Sequence, residues 1–246
     1  MRKLPIPLMN RSLLAIVPAA LALCGCVSVP NVDANKAAMN QLKRITVLAV
    51  REPANIQIVN LGGAAGAFGA VGGLIQGLSN ADHTKAFVTA LAERKLSFNA
   101  PLLDAVEGAL RQDGFEVSVD KTQWPKKAAD GKGDDYSNLR VDSDAILIVW
   151  FNVVGYMSPP SSTHYEPWVI IKARLIDAKT KQDIYFKTFC IGYQTKVENA
   201  VFIPADPKYR YKSNEDLMAN FLEAVGGIES CELLAARQVG DDLKTK

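Results

Sequence analysis

Residues 146–151 read Ile-Leu-Ile-Val-Trp-Phe, an unbroken apolar run inside a strand-like stretch from 145 to 156. A strand that leaves no alternate position for water has to lie inside a sheet covered on both faces. The rest of the chain must supply that cover. Downstream, residues 168–177 and 184–193 flank Ala178-Lys179-Thr180-Lys181 and read as an antiparallel hairpin. In its first strand Val169, Ile171, Ala173 and Leu175 alternate with Lys172 and Arg174, so one face meets the core and the other meets water.

Upstream, residues 45–50 form a second apolar run and 115–119 a short strand. Between them a helix is expected over 83–95. Another starts at Asn99 as N-cap, with Pro101 in its first turn, Leu102, Leu103, Val106 and Leu110 at helical spacing, and Gly114 as the stop. A last helix, 215–239, is interrupted or softened by Gly226-Gly227. No internal period indicates repeats. Helices mixed with strands, and a hairpin within the sheet, predict a single α/β sandwich with a mixed sheet over residues 43–240, carrying a Gly-rich insert (59–79) after the first strand. The charged, Gly-containing loop 121–143 is a candidate interaction site.

At the N-terminus, Arg2, Lys3 and Arg11 precede an apolar run from Ser12 to about Leu23 that closes in Leu23-Cys24-Gly25-Cys26. The run is broken by Pro18 and is shorter than the roughly 18 to 20 residues that cross a bilayer as a helix. It therefore reads as a cleaved export signal, residues 1–25, with the small Gly25 just before the cut. The stretch resembles the lipobox of bacterial lipoproteins, with Cys24 where a small or branched residue is more usual. The resemblance implies acylation of the Cys26 thiol and amine, and hence a membrane contact through the lipid anchor. Several acyl chains on one residue hold stably where one holds marginally. In this family, aspartate after the lipidated cysteine commonly marks inner-membrane retention. Val27 and Ser28 stand there instead, which implies the outer membrane with the chain facing the periplasm. Residues 26–42 are moderately polar with little strand pattern and read as a tether.

Removing the signal takes Lys plus Arg from 28 to 25, against 26 Asp plus Glu, a formal charge of −1. No basic excess remains to argue for nucleic acid. Of the cysteines, Cys24 leaves with the signal and Cys26 is lipidated, so Cys190 and Cys231 remain. In an oxidising periplasm such a pair is a disulfide candidate, and two unpaired buried thiols are the other reading.

Residues 53–81 contain no charge but include Gly62, Gly66, Gly69, Gly73 and Gly77. Gly69, Gly73 and Gly77 lie four apart, and Gly62, Gly66 and Ala70 make a second such row, so a helix here would present flat faces to a neighbour. Each glycine costs close to 1 kcal/mol in a soluble helix, which calls for compensating contacts. This glycine-zipper-like pattern makes the segment a candidate for membrane contact or self-association, the other reading being a mobile surface loop.

Nothing in the chain suggests a cofactor. No Gly-Lys-Ser/Thr follows the glycines, no Gly-x-Ser-x-Gly occurs, and His83 and His164 are the sole histidines. Asp134-Asp135 stands among Gly131, Lys132 and Gly133 and reads as a solvated turn rather than a metal or glycosidase site.

The hairpin 169–185, an apolar strand ending in Asp177, a turn with Thr180, then the next strand, is similar to that of periplasmic lipoproteins with a TolB N-terminal-like α/β fold. That group includes the curli-secretion and penicillin-binding-protein activator lipoproteins. Lys181 replaces the more usual turn glycine. The resemblance and the lack of a catalytic set imply a non-enzymatic outer-membrane lipoprotein that serves as an interaction or assembly subunit of the envelope, through an envelope protein partner or self-association. The alternative is a periplasmic binding module for peptidoglycan, lipid or a small ligand.

Overall fold

The computed structural model describes residues 30–62, 69–131, 133–160 and 162–244, with the backbone alone over 69–76. The chain forms an α/β fold around a seven-stranded mixed sheet. Its elements are α1 (Lys36–Met39), β1 (Arg44–Leu48), β2 (Ile56–Asn60), α2 (Gly69–Arg94), α3 (Asn99–Gln112), β3 (Glu116–Asp120), β4 (Lys126–Lys127), β5 (Asp134–Asp135), β6 (Ala145–Ser158), β7 (Glu166–Asp177), β8 (Asp183–Gly192), β9 (Val201–Ile203), a 3-10 turn at Pro207–Tyr209, α4 (Asn214–Ala219) and α5 (Phe221–Leu243).

β6, which carries the apolar run, is the spine. Its first residues pair in parallel with β1, its last with β2, and its other edge runs antiparallel to β7 along a bulge between Phe151 and Val153. The strand order β3-β1-β6-β7-β8-β9 leaves β2 beside the upper half of β6. β2 can dock there because position 155 is glycine: a side chain on Gly155 would strike the Gln57 backbone carbonyl. The expected hairpin is β7–β8, and Lys181 holds its turn at φ 61°, the left-handed conformation that glycine favours.

Alternation splits the sheet into two faces. Ile45, Val47, Leu147, Val149, Ile171 and Phe189 face α2, α3 and α5 in one large core that includes Phe87, Leu102, Val106, Ile228 and Val239. Each such side chain, fully buried, contributes on the order of 1.5–3 kcal/mol. Among the described residues no helix packs on the second face. There Leu48, Ile146, Ile148 and Ile176 pack with Leu139 from the 121–143 loop, and Val153, Ile170 and Cys190 pack under Val197 and Ala200. The 121–143 loop is thus in part a cover for the sheet, since Leu139 is fully buried. Its β4–β5 pair holds Asp134 against Lys127, while Asp135 accepts from Ser137.

Phe98 rather than Asn99 holds the N-cap position of α3, and four larger differences from the sequence expectations follow. A strand, β2, precedes the glycine-rich segment, which therefore does not follow directly on the first strand. The helix expected over 83–95 begins at Gly69, so part of the insert and that helix are one element. The last helix is divided at Asn220, whose φ of −107° and ψ of 33° leave the helical region, and α5 runs unbroken through Gly226 and Gly227 to a buried Leu243. Gly227 serves packing instead, because a side chain there would meet the Tyr156 hydroxyl and the Tyr209 ring. Finally, the tether expected over 26–42 is folded onto the domain from Asn31 onward, with Met39 in the core.

Candidate functional site

Two regions carry the candidate chemistry, and the anchor end is the first. Cys26 lies outside the described residues, but the chain after it is pinned early. Val32 and Phe186 exchange both backbone hydrogen bonds, at 2.8 and 2.9 Å, which adds a short antiparallel bridge to the β8 edge beside the part that β9 covers. Asn31 donates its side-chain amide to the Asn199 carbonyl at 2.5 Å and accepts from the Thr188 N–H at 3.4 Å. Lys187 pairs with Asp33 and with Asp242, both at 3.1 Å, and Asn35 caps α1. Lys36 donates to the Lys244 carbonyl, which ties this segment to the end of α5.

The glycine-rich segment is the second region, and its glycines separate. Gly62 is not on a helix: it follows β2 in a loop, where a side chain would collide with the Ser162 and Pro159 carbonyls. Its role is close backbone approach, which removes it from the proposed second helical row. Gly66 lies outside the described residues. Gly69, Gly73 and Gly77 are all in α2, and a side chain on Gly77 would meet nothing. Leu78 beside it is 63% exposed, and Leu61 is exposed as well. A turn later α2 becomes structural. Asn80 and Thr84, four residues apart and hence on one face, accept from the Asn60 and Ile58 N–H groups at 2.9 Å, and cap the outer edge of β2. No helix among the described residues is long and apolar enough to cross a membrane.

The disulfide candidates do not meet. Both Cys190 and Cys231 are free and buried. Cys190 points to the outer face with Val153 and Ile170, whereas Cys231 on α5 lies in the helical core, so the sheet stands between them. The Cys190 thiol contacts the Tyr193 carbonyl at 3.4 Å. Burial, with the neighbouring Glu232, pushes the Cys231 thiol up to about 12, far from a reactive thiolate.

Glu232 was missed by the sequence reading. Its carboxyl is 0% exposed and neither oxygen has a hydrogen-bond partner. Burial pushes it up to about 9, with Glu229 and Glu52 adding to the shift, so the group is a neutral acid near pH 7. The available signal was its helical spacing to Ile228, Ala235 and Ala236, which places an acid on the buried stripe. The Glu52 carboxylate is engaged elsewhere, accepting from the Phe98 and Asn99 N–H groups at the start of α3.

Each histidine has hydroxyl neighbours at the outer limit of hydrogen bonding. His83 lies 3.5 Å from the Tyr165 and Ser79 hydroxyls, and His164 lies 3.5 Å from Ser162. Among the described residues no group of three or more His, Cys, Asp or Glu is placed to hold a metal. A depression of about 280 Å³ at the top of β7 and β9 is lined by Pro159, Tyr193, Phe202 and Pro204, and its Arg210 is paired with Glu166 at 3.3 Å.

No protein-family model matches the chain, and no curated protein matches it. Solved structures give distant likenesses. A PelC dodecamer from Paraburkholderia phytofirmans is similar over 89% of this chain and 98% of that chain, at 12% identity and a TM-score of 0.36. A DUF330 protein from Xanthomonas campestris is similar over 86% of this chain and 89% of that chain, at 11% identity and a TM-score of 0.40. Lipoprotein GNA1162 from Neisseria meningitidis is similar over 75% of this chain and 95% of that chain, at 17% identity and a TM-score of 0.23. At these values the likenesses fix neither a function nor an oligomeric state for this chain.

Proposed function

We propose that the chain is a non-enzymatic lipoprotein, anchored through Cys26 in the outer membrane on its periplasmic side, that acts as an interaction or assembly subunit of the envelope. The observation that carries the assembly reading is the surface of α2 around Gly77 and Leu78. There Leu78 is 63% exposed and the adjoining Gly77 has open space above it, so the described residues leave this part of α2 uncovered. The glycine spacing Gly69, Gly73, Gly77 offers that chain a close approach. Its occupant is a second copy or an envelope protein. The anchor reading rests on the lipobox-like Leu23-Cys24-Gly25-Cys26.

Two measurements test the proposal. Radiolabelled palmitate should enter the wild-type protein and not Cys26→Ala, and unchanged labelling of the variant overturns the anchor. A photo-crosslinking residue at position 78 should give a discrete higher-mass product in intact envelopes, while the same residue in place of the exposed Asp104 on α3 should not. Absence of any product from position 78 overturns the assembly reading.

A further inference from the structure

We infer that the sheet corner formed by Asn31, the 194–200 loop and β9 faces the phospholipid headgroups at close range, with the β3 edge turned away toward the periplasm. The inference rests on lipidation of Cys26 and goes beyond it by giving the domain an orientation. Its basis is the early docking of the chain. Asn31 is fixed to Asn199 and Thr188, and Val32 to Phe186, so Cys26 is five peptide steps from the first docked residue. Whatever its conformation, such a span reaches at most about 18 Å. A tether running to residue 42 would have reached about three times as far. A domain of this size is roughly 40 Å across, so an 18 Å leash attached at one corner prevents it from laying the far side against the bilayer.

The surface at that corner suits a headgroup layer. On β9, Val201 and Ile203 pack against the core, while Phe202 points to the outer face, opposite Cys190 in register, and is 40% exposed. Lys196 is exposed in the adjoining loop. An exposed phenyl ring and a lysine in the adjoining loop are the residue types that interfacial surfaces combine, the ring at the acyl boundary and the ammonium among phosphates. β3 lies five strand intervals from β9, about 24 Å across the sheet. Among the described residues its outer edge has no strand partner, and Glu116 there is exposed.

The test uses the full lipidated protein in vesicles of phosphatidylethanolamine and phosphatidylglycerol that contain a lipid with a nitroxide on its headgroup. A fluorophore is placed on Lys196→Cys, Phe202→Cys or Glu116→Cys, the native Cys190 and Cys231 being buried. Quenching should be several-fold stronger at 196 and 202 than at 116. A Gly-Ser spacer of about twenty residues inserted before Asn31, with a mean reach of about 25 Å, should erase most of that difference without releasing the protein. Flotation with the vesicles and the acyl mass on the N-terminal peptide report the anchor separately. A protein that floats but shows equal quenching, or stronger quenching at 116, overturns the orientation alone. A protein without the acyl mass overturns the anchor reading and the orientation with it.

Discussion

The Ile58 N–H donates to the Thr84 hydroxyl at 2.9 Å, and through that contact a helix closes the open edge of a strand. β2 has β6 on one side only, and its outward amides would otherwise invite another strand. One turn earlier, Asn80 takes the Asn60 N–H and returns a bond to the Asn60 carbonyl at 3.3 Å. Thr84→Val keeps the shape and removes the acceptor, so it should cost about 1–3 kcal/mol, read as a lower urea midpoint with an unchanged slope. A midpoint equal to wild type would show that water replaces the hydroxyl.

The two thiols provide a second test. Because the sheet separates Cys190 from Cys231, both should be silent toward iodoacetamide in the folded protein and both should react after denaturation without reductant. A requirement for reductant before labelling would establish the bridge instead.

The glycines should divide by environment. Gly77→Ala adds a methyl into open space in a helix interior and should stabilise by about 0.5–1 kcal/mol. Gly62→Ala places its methyl against the Ser162 and Pro159 carbonyls and should lower the melting temperature, since the loop has to open to admit it. Equal effects at the two positions would contradict the assignment of Gly62 to a backbone contact.

Elements with strong periodicity were legible in the sequence, as β6 and the β7–β8 hairpin show. Those defined by tertiary partners were not. β2 alternates Ile56 and Ile58 with Gln57, a weak signal inside a long uncharged stretch, and it forms a strand because Gly155 lets it approach β6. The tether was misjudged for a related reason. Residues 31–42 hold little apolar pattern, yet Met39 and the Val32–Phe186 bridge dock them at a sheet edge that only the assembled fold creates. The cysteine pairing failed on facing: position 190 is on the outer face because its neighbours Phe189 and Ile191 are on the inner one, a parity that the strand's alternation already contained.

Replacing Gly69, Gly73 and Gly77 together with leucine should abolish oligomers or membrane-dependent contacts without lowering the thermal unfolding temperature of the domain. The leucines block close approach of a second chain along α2. Association is read by light scattering of the detergent-extracted protein and stability by calorimetry. Unfolding of the variant would place the segment in the core, and no change in either would leave it a passive surface.

Glu232 makes the stability depend on pH in a definite direction. Its carboxyl has an ordinary value of 4.5 and is pushed up to about 9 in the folded protein, chiefly by burial. The folded state therefore keeps a proton that the unfolded chain releases. The sign follows from that difference: this residue disfavours folding progressively as pH rises from about 4.5, and the loss levels off above about 9. Near pH 7 the cost is on the order of 3 kcal/mol. Glu232→Gln holds nearly the same shape without a titrating group, so it should raise the urea midpoint at pH 7 and flatten the decline of stability between pH 5 and 9. The amide still lacks a buried partner, which trims the gain by about 1 kcal/mol or more. A variant whose stability follows the wild-type pH curve throughout would show that the carboxyl is solvated in solution.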